Sequence, residues 1–258
     1  MRARAGAGDT AGMYADSDVA ALYDLLNPWD PVLNACDRFY HPLVMGADAV
    51  LDVGCGTGAM LTLARERGHR GRLLGLDPDR AALERARRRS DVAWVEGRAA
   101  DAPRGAGFGL ATMTGHAFQT LLTDDEVRAS LAAIHGALRP GGVFAFETRH
   151  PGARAWERWT PANPDDVTEL VDGAGRALRY WHDVDSVAGD VVTIRGTLAD
   201  AEGRVLRVLG ESLRFLGVAR LDGFLAGAGF VVEERYGDWD RTAVGDTGPE
   251  IITVARRP

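Results

Sequence analysis

The stretch Val50-Leu51-Asp52-Val53-Gly54-Cys55-Gly56-Thr57-Gly58-Ala59-Met60 constrains this chain more than any other. An apolar run at 49–53 ends in three glycines at alternate positions. An apolar-periodic segment follows, with Met60, Leu61, Leu63 and Ala64 on one face and Gly68 at its end. The short run reads as a buried strand and the 3.6-residue period as a helix over 59–67. Glycine lets the connection turn sharply and leaves the backbone bare, so a ligand can lie directly on it. Strand, glycine turn and helix make the first unit of a nucleotide-binding α/β fold. The spacing differs from the G-x-G-x-x-G that sets a pyrophosphate on a helix N-terminus, which disfavours a nicotinamide oxidoreductase.

The same alternation continues. A strand at 72–76 ends in Asp77-Pro78, where a ribose-binding carboxylate is expected after such a loop. Asp79 caps the next helix, which runs to about Arg89. Strands follow at 92–96, 108–113 and 143–147, with a helix from the capping box Thr123-Asp124-Asp125-Glu126 to Leu138 between the last two. A final helix around Leu221–Ala228 leads to strands at 230–234 and 251–255.

Three features in this order, the string Leu51 to Gly58, the acid at Asp77 and Leu138-Arg139-Pro140-Gly141-Gly142, resemble the class I S-adenosylmethionine (SAM)-dependent methyltransferases. The resemblance covers 49–147 closely and 217–258 more loosely. It implies an α/β, Rossmann-like sandwich whose seven-stranded, mostly parallel sheet has an antiparallel strand seven. It implies SAM as cofactor and S-adenosylhomocysteine as product. The loop of Asp52, Gly54, Cys55, Gly56, Thr57 and Gly58 would pass under the methionine part, with Asp77 and Pro78 at the ribose. Ala100 and Asp101 would meet the adenine, and Thr114 and Gly115 would lie at the transferred methyl.

The flanking segments are less regular. Residues 1–10 are expected to be disordered. Residues 11–48 read as a helical cap, with one helix at 18–26 and a second at 32–44 that turns Leu33, Cys36 and Tyr40 inward. Pro28 and Pro31 interrupt them. The cap resembles that of small-molecule methyltransferases, where Tyr14, Tyr23 and Trp29 would border SAM; plain core packing is the other reading of these aromatics. Residues 148–216 lose the βα alternation. They read as a meander of three antiparallel strands, one face carrying Leu178, Tyr180, His182 and Val184. The whole is expected to be one catalytic domain of 258 residues in which this insertion serves as a lid.

SAM carries its own reactive methyl, so the protein has to bind it, exclude water and align a nucleophile. A base is required only for a nucleophile that arrives protonated. His116, just after the strand at 108–113, is the candidate proton acceptor; closing its own turn, or bonding to the leader, is the alternative. Gln119 could orient the substrate, and His150 lies at the end of the neighbouring strand. Glu147 and Arg149 either pair with each other or receive a polar substrate. Phe118, Trp156, Trp159, Tyr180, Trp181 and His182 either line a site for a flat or cationic ligand or anchor the insertion.

Composition narrows the partners. A net charge of −7 offers no general attraction for nucleic acid or anionic membrane. The run Arg85, Arg87, Arg88, Arg89 reads as a solvated helix face. Cys36 and Cys55 have no metal-ligand spacing, so no metal is expected, and a reduced, cytoplasmic setting is the simplest. No signal-peptide core and no run of membrane-spanning length is present. A small-molecule substrate, no nucleic acid, no membrane, and a monomer or homodimer are the expectations. An RNA methyltransferase, or a protein of this fold that binds SAM without transferring its methyl, are the alternatives.

Overall fold

The computed structural model describes residues 16–258, with side chains from Ala20 onward. Tyr14, residues 1–10 and the side chain of Val19 lie outside the described residues.

A seven-stranded sheet forms the centre. Its strands are β1 (Ala49–Val53), β2 (Arg72–Asp77), β3 (Ala93–Glu96), β4 (Phe108–Met113), β5 (Leu138–Arg149), β10 (Val231–Tyr236) and β11 (Glu250–Arg256). Their spatial order is β10-β11-β5-β4-β1-β2-β3, and β11 alone runs antiparallel to both of its neighbours. Every residue of β1 is buried, as a central parallel strand covered on both faces requires. Its alternation divides the core. Leu51 and Val53 face a cluster with Val127, Leu131 and Ile134 of α5 (Asp124–Ala137) and Leu221 and Leu225 of α6 (Val218–Gly227). Val50 faces Phe39, Tyr40 and Val44 of α2 (Ala35–Gly46) and Met60, Leu61 and Ala64 of α3 (Ala59–Glu66). β1 pairs in parallel with β2 on one side and β4 on the other, so the strand order reverses there and a crevice opens at the carboxyl ends.

The second sheet is antiparallel, with four strands in the order β6 (Thr168–Val171), β7 (Ala177–Ala188), β8 (Val191–Asp200) and β9 (Val205–Arg214). The sequence reading missed β6, a four-residue edge strand with no long alternation of its own. Leu178, Leu198 and Leu206 pack on Leu22 of α1 (Asp16–Leu26). Val192, Ile194, Leu213 and Phe215 pack with Trp156 and Trp159. Arg214 is buried and bonds Asp124 at the start of α5 and Asp190 in the β7–β8 turn. The insertion is therefore fixed to the core and to the leader.

Two of the shifted boundaries have a visible cause. The second leader helix begins at Ala35, because the Asp30 carboxylate accepts the N–H groups of Val32 and Leu33 and holds them in a turn. Leu33 points outward, 78% exposed. The fifth strand begins at Leu138, because Arg139 to Gly142 continue toward the β11 end: Gly141 N–H donates to the Arg257 carbonyl and Arg257 N–H to that of Gly142. The remaining helix, α4 (Arg80–Ala86), is capped by Asp79, which accepts from the N–H groups of Ala81 and Ala82.

Candidate active site

The glycine loop holds its shape through three left-handed residues, Gly54, Gly56 and Gly58. A Cβ at Gly58 would fall 2.3 Å from the Trp94 ring, and one at Gly54 would fall 2.9 Å from Ala117 Cβ. A Cβ at Gly56 would meet nothing within 4 Å. Two of the glycines thus admit protein neighbours, and the third presents bare backbone to open space. Asp77 braces this apex: one oxygen accepts Gly56 N–H at 2.7 Å and the other accepts Asp79 N–H at 2.7 Å. Burial raises its pKa, against the pull of those two amides.

The leader closes over the loop. Asp24 of α1 accepts from the Thr57 hydroxyl and pairs with Arg85 of α4 at 2.8 Å. A cavity of about 370 Å³ lies where Asp24, Trp29 and Arg85 meet Thr57 and Thr62. Trp29 Nε1 is buried and has no hydrogen-bond partner among the described residues. The Tyr23 hydroxyl stands 3.6 Å from where a Gly115 Cβ would be. The bare Gly56 backbone and the acid braced against it fit a nucleoside.

The other half of the crevice is a charged network. His116 has a left-handed backbone, φ 60°, ψ 19°. Its N–H donates to Glu147 at 2.9 Å, and its Nε2 lies 3.0 Å from both carboxylate oxygens of Glu250. Glu147, 0% exposed, also accepts from the Tyr40 hydroxyl. Arg149 donates to Gln119 at 3.1 Å and lies 5.2 Å from the Trp159 ring centre. His182 reaches Asp166 through both its backbone N–H, at 3.0 Å, and Nδ1, at 2.8 Å. Burial lowers His116 to about 4, assisted by Arg149 and opposed by Glu147. Burial raises Glu250 to about 8, assisted by Asp238 and opposed by Arg149. The Tyr23 hydroxyl is raised by burial and then by Glu211, Asp77 and Glu147, with Arg149 opposing.

Several expected roles move. Phe118 is core, stacked on Phe146 with ring centres 4.5 Å apart. Gln119 is enclosed; its amide donates to the Arg214 carbonyl and its oxygen accepts from Arg149, so it orients Arg149. Glu147 and Arg149 make no mutual ion pair, because Tyr40 and His116 take one and Gln119 and Trp159 the other. Asp52 is turned into the sheet toward the Thr112 hydroxyl, and burial raises it to about 7. Asp101 is exposed and closes its own turn on Arg98 N–H, with Ala100 beside it. His150 closes a turn on Gly152 N–H. Trp156 packs edge-on against Phe215, ring centres 4.6 Å apart. Trp181 bonds Asp183 on the face opposite Tyr180 and His182. Tyr180 stands edge-on to His182 at 5.0 Å, above the space left by Gly196. Cys55 and Thr114 lie half-buried beside the crevice and Pro78 lies exposed at its rim. Burial raises the Cys55 thiol.

Sequence reasoning missed Glu250, Tyr40 as a polar group, Glu211, Asp24 and Asp166. None lies in a spaced motif. The one available signal was a carboxylate at the head of the apolar strand 251–255. Among the described residues no cluster of three or more His, Cys, Asp or Glu could hold a metal, and no helix is long and apolar enough to cross a membrane.

Comparison with known proteins bears on the fold and the family. Residues 50–142 match the model of a methyltransferase domain family. The 2-phytyl-1,4-naphtoquinone methyltransferase of Thermosynechococcus vestitus is 32% identical over 156 residues, 55% of this chain and 66% of that protein. An uncharacterized methyltransferase of Synechocystis matches over 51% of its length, so the chain spans about half to two thirds of these curated relatives. The CcbJ methyltransferase of Streptomyces caelestis superposes with a TM-score of 0.73 over 96% of this chain and 98% of its own, at 19% identity. A SAM-bound amino pentose methyltransferase of Micromonospora echinaspora reaches 0.66 over 96% and 99%, at 26% identity.

Proposed function

The chain belongs to the class I SAM-dependent methyltransferases, with SAM as their cofactor, and from that premise we propose that it methylates a nitrogen of a small, cationic molecule. The observation that carries this is the charge around the Tyr23 hydroxyl: Glu211, Asp77 and Glu147 act on it from three strands against Arg149. An acidic, partly desolvated crevice favours an ammonium and disfavours a phosphate backbone, which speaks against an RNA substrate. A neighbour of the same fold is an amino pentose methyltransferase, in keeping with an acceptor that carries an amine.

When bound, SAM supplies an electrophilic methyl on a sulfonium. The chain's own residues do the rest. Gly56 offers backbone to the nucleoside side, and Asp77 offers free lone pairs to the ribose hydroxyls. Trp159, Tyr180 and His182 face the acceptor from the insertion, which we read as the lid of a single catalytic domain. An amine held as its ammonium has no lone pair, so a neighbouring group has to take its proton; His116 is placed to do so.

The test is turnover of matched amines, phenols and alcohols, amino sugars included, with S-adenosylhomocysteine formation as readout and the methylated atom located by NMR. N-methyl products are expected. Methylation confined to oxygen or carbon would overturn the nitrogen reading.

A further inference from the structure

We propose that Glu250 and His116 form one proton-accepting dyad, in which Glu250 is a positioning residue that fixes the imidazole and holds its Nε2 proton. The proposal rests on the methyl-transfer reading above and names a residue in no motif. Glu250 heads β11, opposite Arg149 of β5, and places both carboxylate oxygens 3.0 Å from His116 Nε2. A carboxylate can only accept, so when Glu250 is ionised the ring proton sits on Nε2 and Nδ1 carries the lone pair. No hydrogen bond to Nδ1 occurs among the described residues, and the side chain keeps 19% of its surface open.

Two carboxylates from adjacent strands therefore hold one residue: Glu147 holds its backbone and Glu250 its ring. His116 is also one of three non-glycine residues with positive φ among the described residues. Such a conformation persists where the surroundings over-determine it. A salt bridge of ordinary structural kind needs neither the strained backbone nor a second carboxylate on the same residue.

The proton balance is simple. The substrate ammonium gives one proton to Nδ1, and its nitrogen regains a lone pair. The Nε2 proton remains shared with Glu250, so the dyad gains one proton and its net charge rises by one. That proton returns to water when the product leaves. The groups that face the dyad are Glu147 and Arg149 on β5, Asp238 after β10, and Tyr40 and Cys36 on α2. Arg149 favours the ionised dyad, whereas Glu147 and Asp238 favour the protonated one. Burial disfavours the charged form of both members, so the two groups titrate as a pair.

The decisive experiment is ¹⁵N NMR of the His116 ring in the full chain with S-adenosylhomocysteine bound, together with pH–rate profiles on the best amine. In the wild type, at a pH above the titration of Glu250, the neutral ring should be the Nε2–H tautomer, and kcat should rise with pH along one limb. Glu250→Gln should lower kcat at least tenfold, shift both the limb and the ring titration to lower pH, and leave KM for SAM within twofold. Glu250→Asp should restore part of kcat and the limb. An Nδ1–H tautomer in the wild type at that pH would overturn the dyad even if Glu250→Gln fails to fold. A folded Glu250→Gln with unchanged limb and titration would overturn it as well. If no amine is methylated, the nitrogen reading fails while the NMR still judges the dyad.

Discussion

Replacing Asp77 tests the cofactor site most directly, and its size can be worked from the structure. Asp77→Ala removes the acceptors of Gly56 N–H and Asp79 N–H, both at 2.7 Å. Leaving a partly buried donor without a partner costs about 1–3 kcal/mol per group, so the folded protein itself should lose stability. The ribose loses its charged acceptor too, which adds about 2–3 kcal/mol to binding, or roughly 30- to 150-fold in Kd. Asp77→Asn keeps the shape and one acceptor and should fall between Ala and wild type. Because burial raises the Asp77 pKa, affinity in the wild type should start to fall on acidification above the usual range of an aspartate. Calorimetric titration with S-adenosylhomocysteine and thermal melting on the same preparations separate the two effects. Unchanged affinity in a folded Asp77→Ala would refute the ribose assignment, however large the change in melting temperature.

Three further outcomes follow from the same geometry. Gly58→Ala should lower the melting temperature more than Gly56→Ala, because only the former meets the Trp94 ring, while Gly56→Ala should weaken S-adenosylhomocysteine binding more; the reverse order in either measurement would contradict the division of labour in the loop. Burial lifts Glu250 to about 8 and Asp52 to about 7, so the native state holds protons that the unfolded chain releases, and stability should fall as pH rises from 6.5 to 8. His116, lowered in the fold, acts in the opposite sense only below its ordinary 6.5, so the slope in this window should flatten in Glu250→Gln; a wild-type melting temperature that does not change across it would remove the premise. Backbone amides of the insertion should gain hydrogen-exchange protection when S-adenosylhomocysteine and an accepted amine bind together, and equal exchange would count against closure.

The sequence by itself determined the alternation of strands and helices in the core, the glycine loop and the acid that follows it. These are local or nearly local facts. An apolar run has to be buried, three spaced glycines have to turn, and a right-handed βαβ path leaves few topologies. Tertiary structure decided the partners of the polar groups. His116 and Glu250 are 134 residues apart, Tyr40 and Glu147 are 107 apart, and Thr57 and Asp24 are 33 apart. No spacing rule links such pairs, because they meet only when β11 inserts antiparallel beside β5 and the leader folds over the loop. Gln119 and Phe118 show the same limit. Their place after β4 was legible, but whether a side chain there enters the crevice or the core depends on which neighbour fills the space. Trp94 shows the converse. Its bulk explains Gly58 and Gly75 together, a reason for glycine that lies in packing across strands and is invisible in either motif.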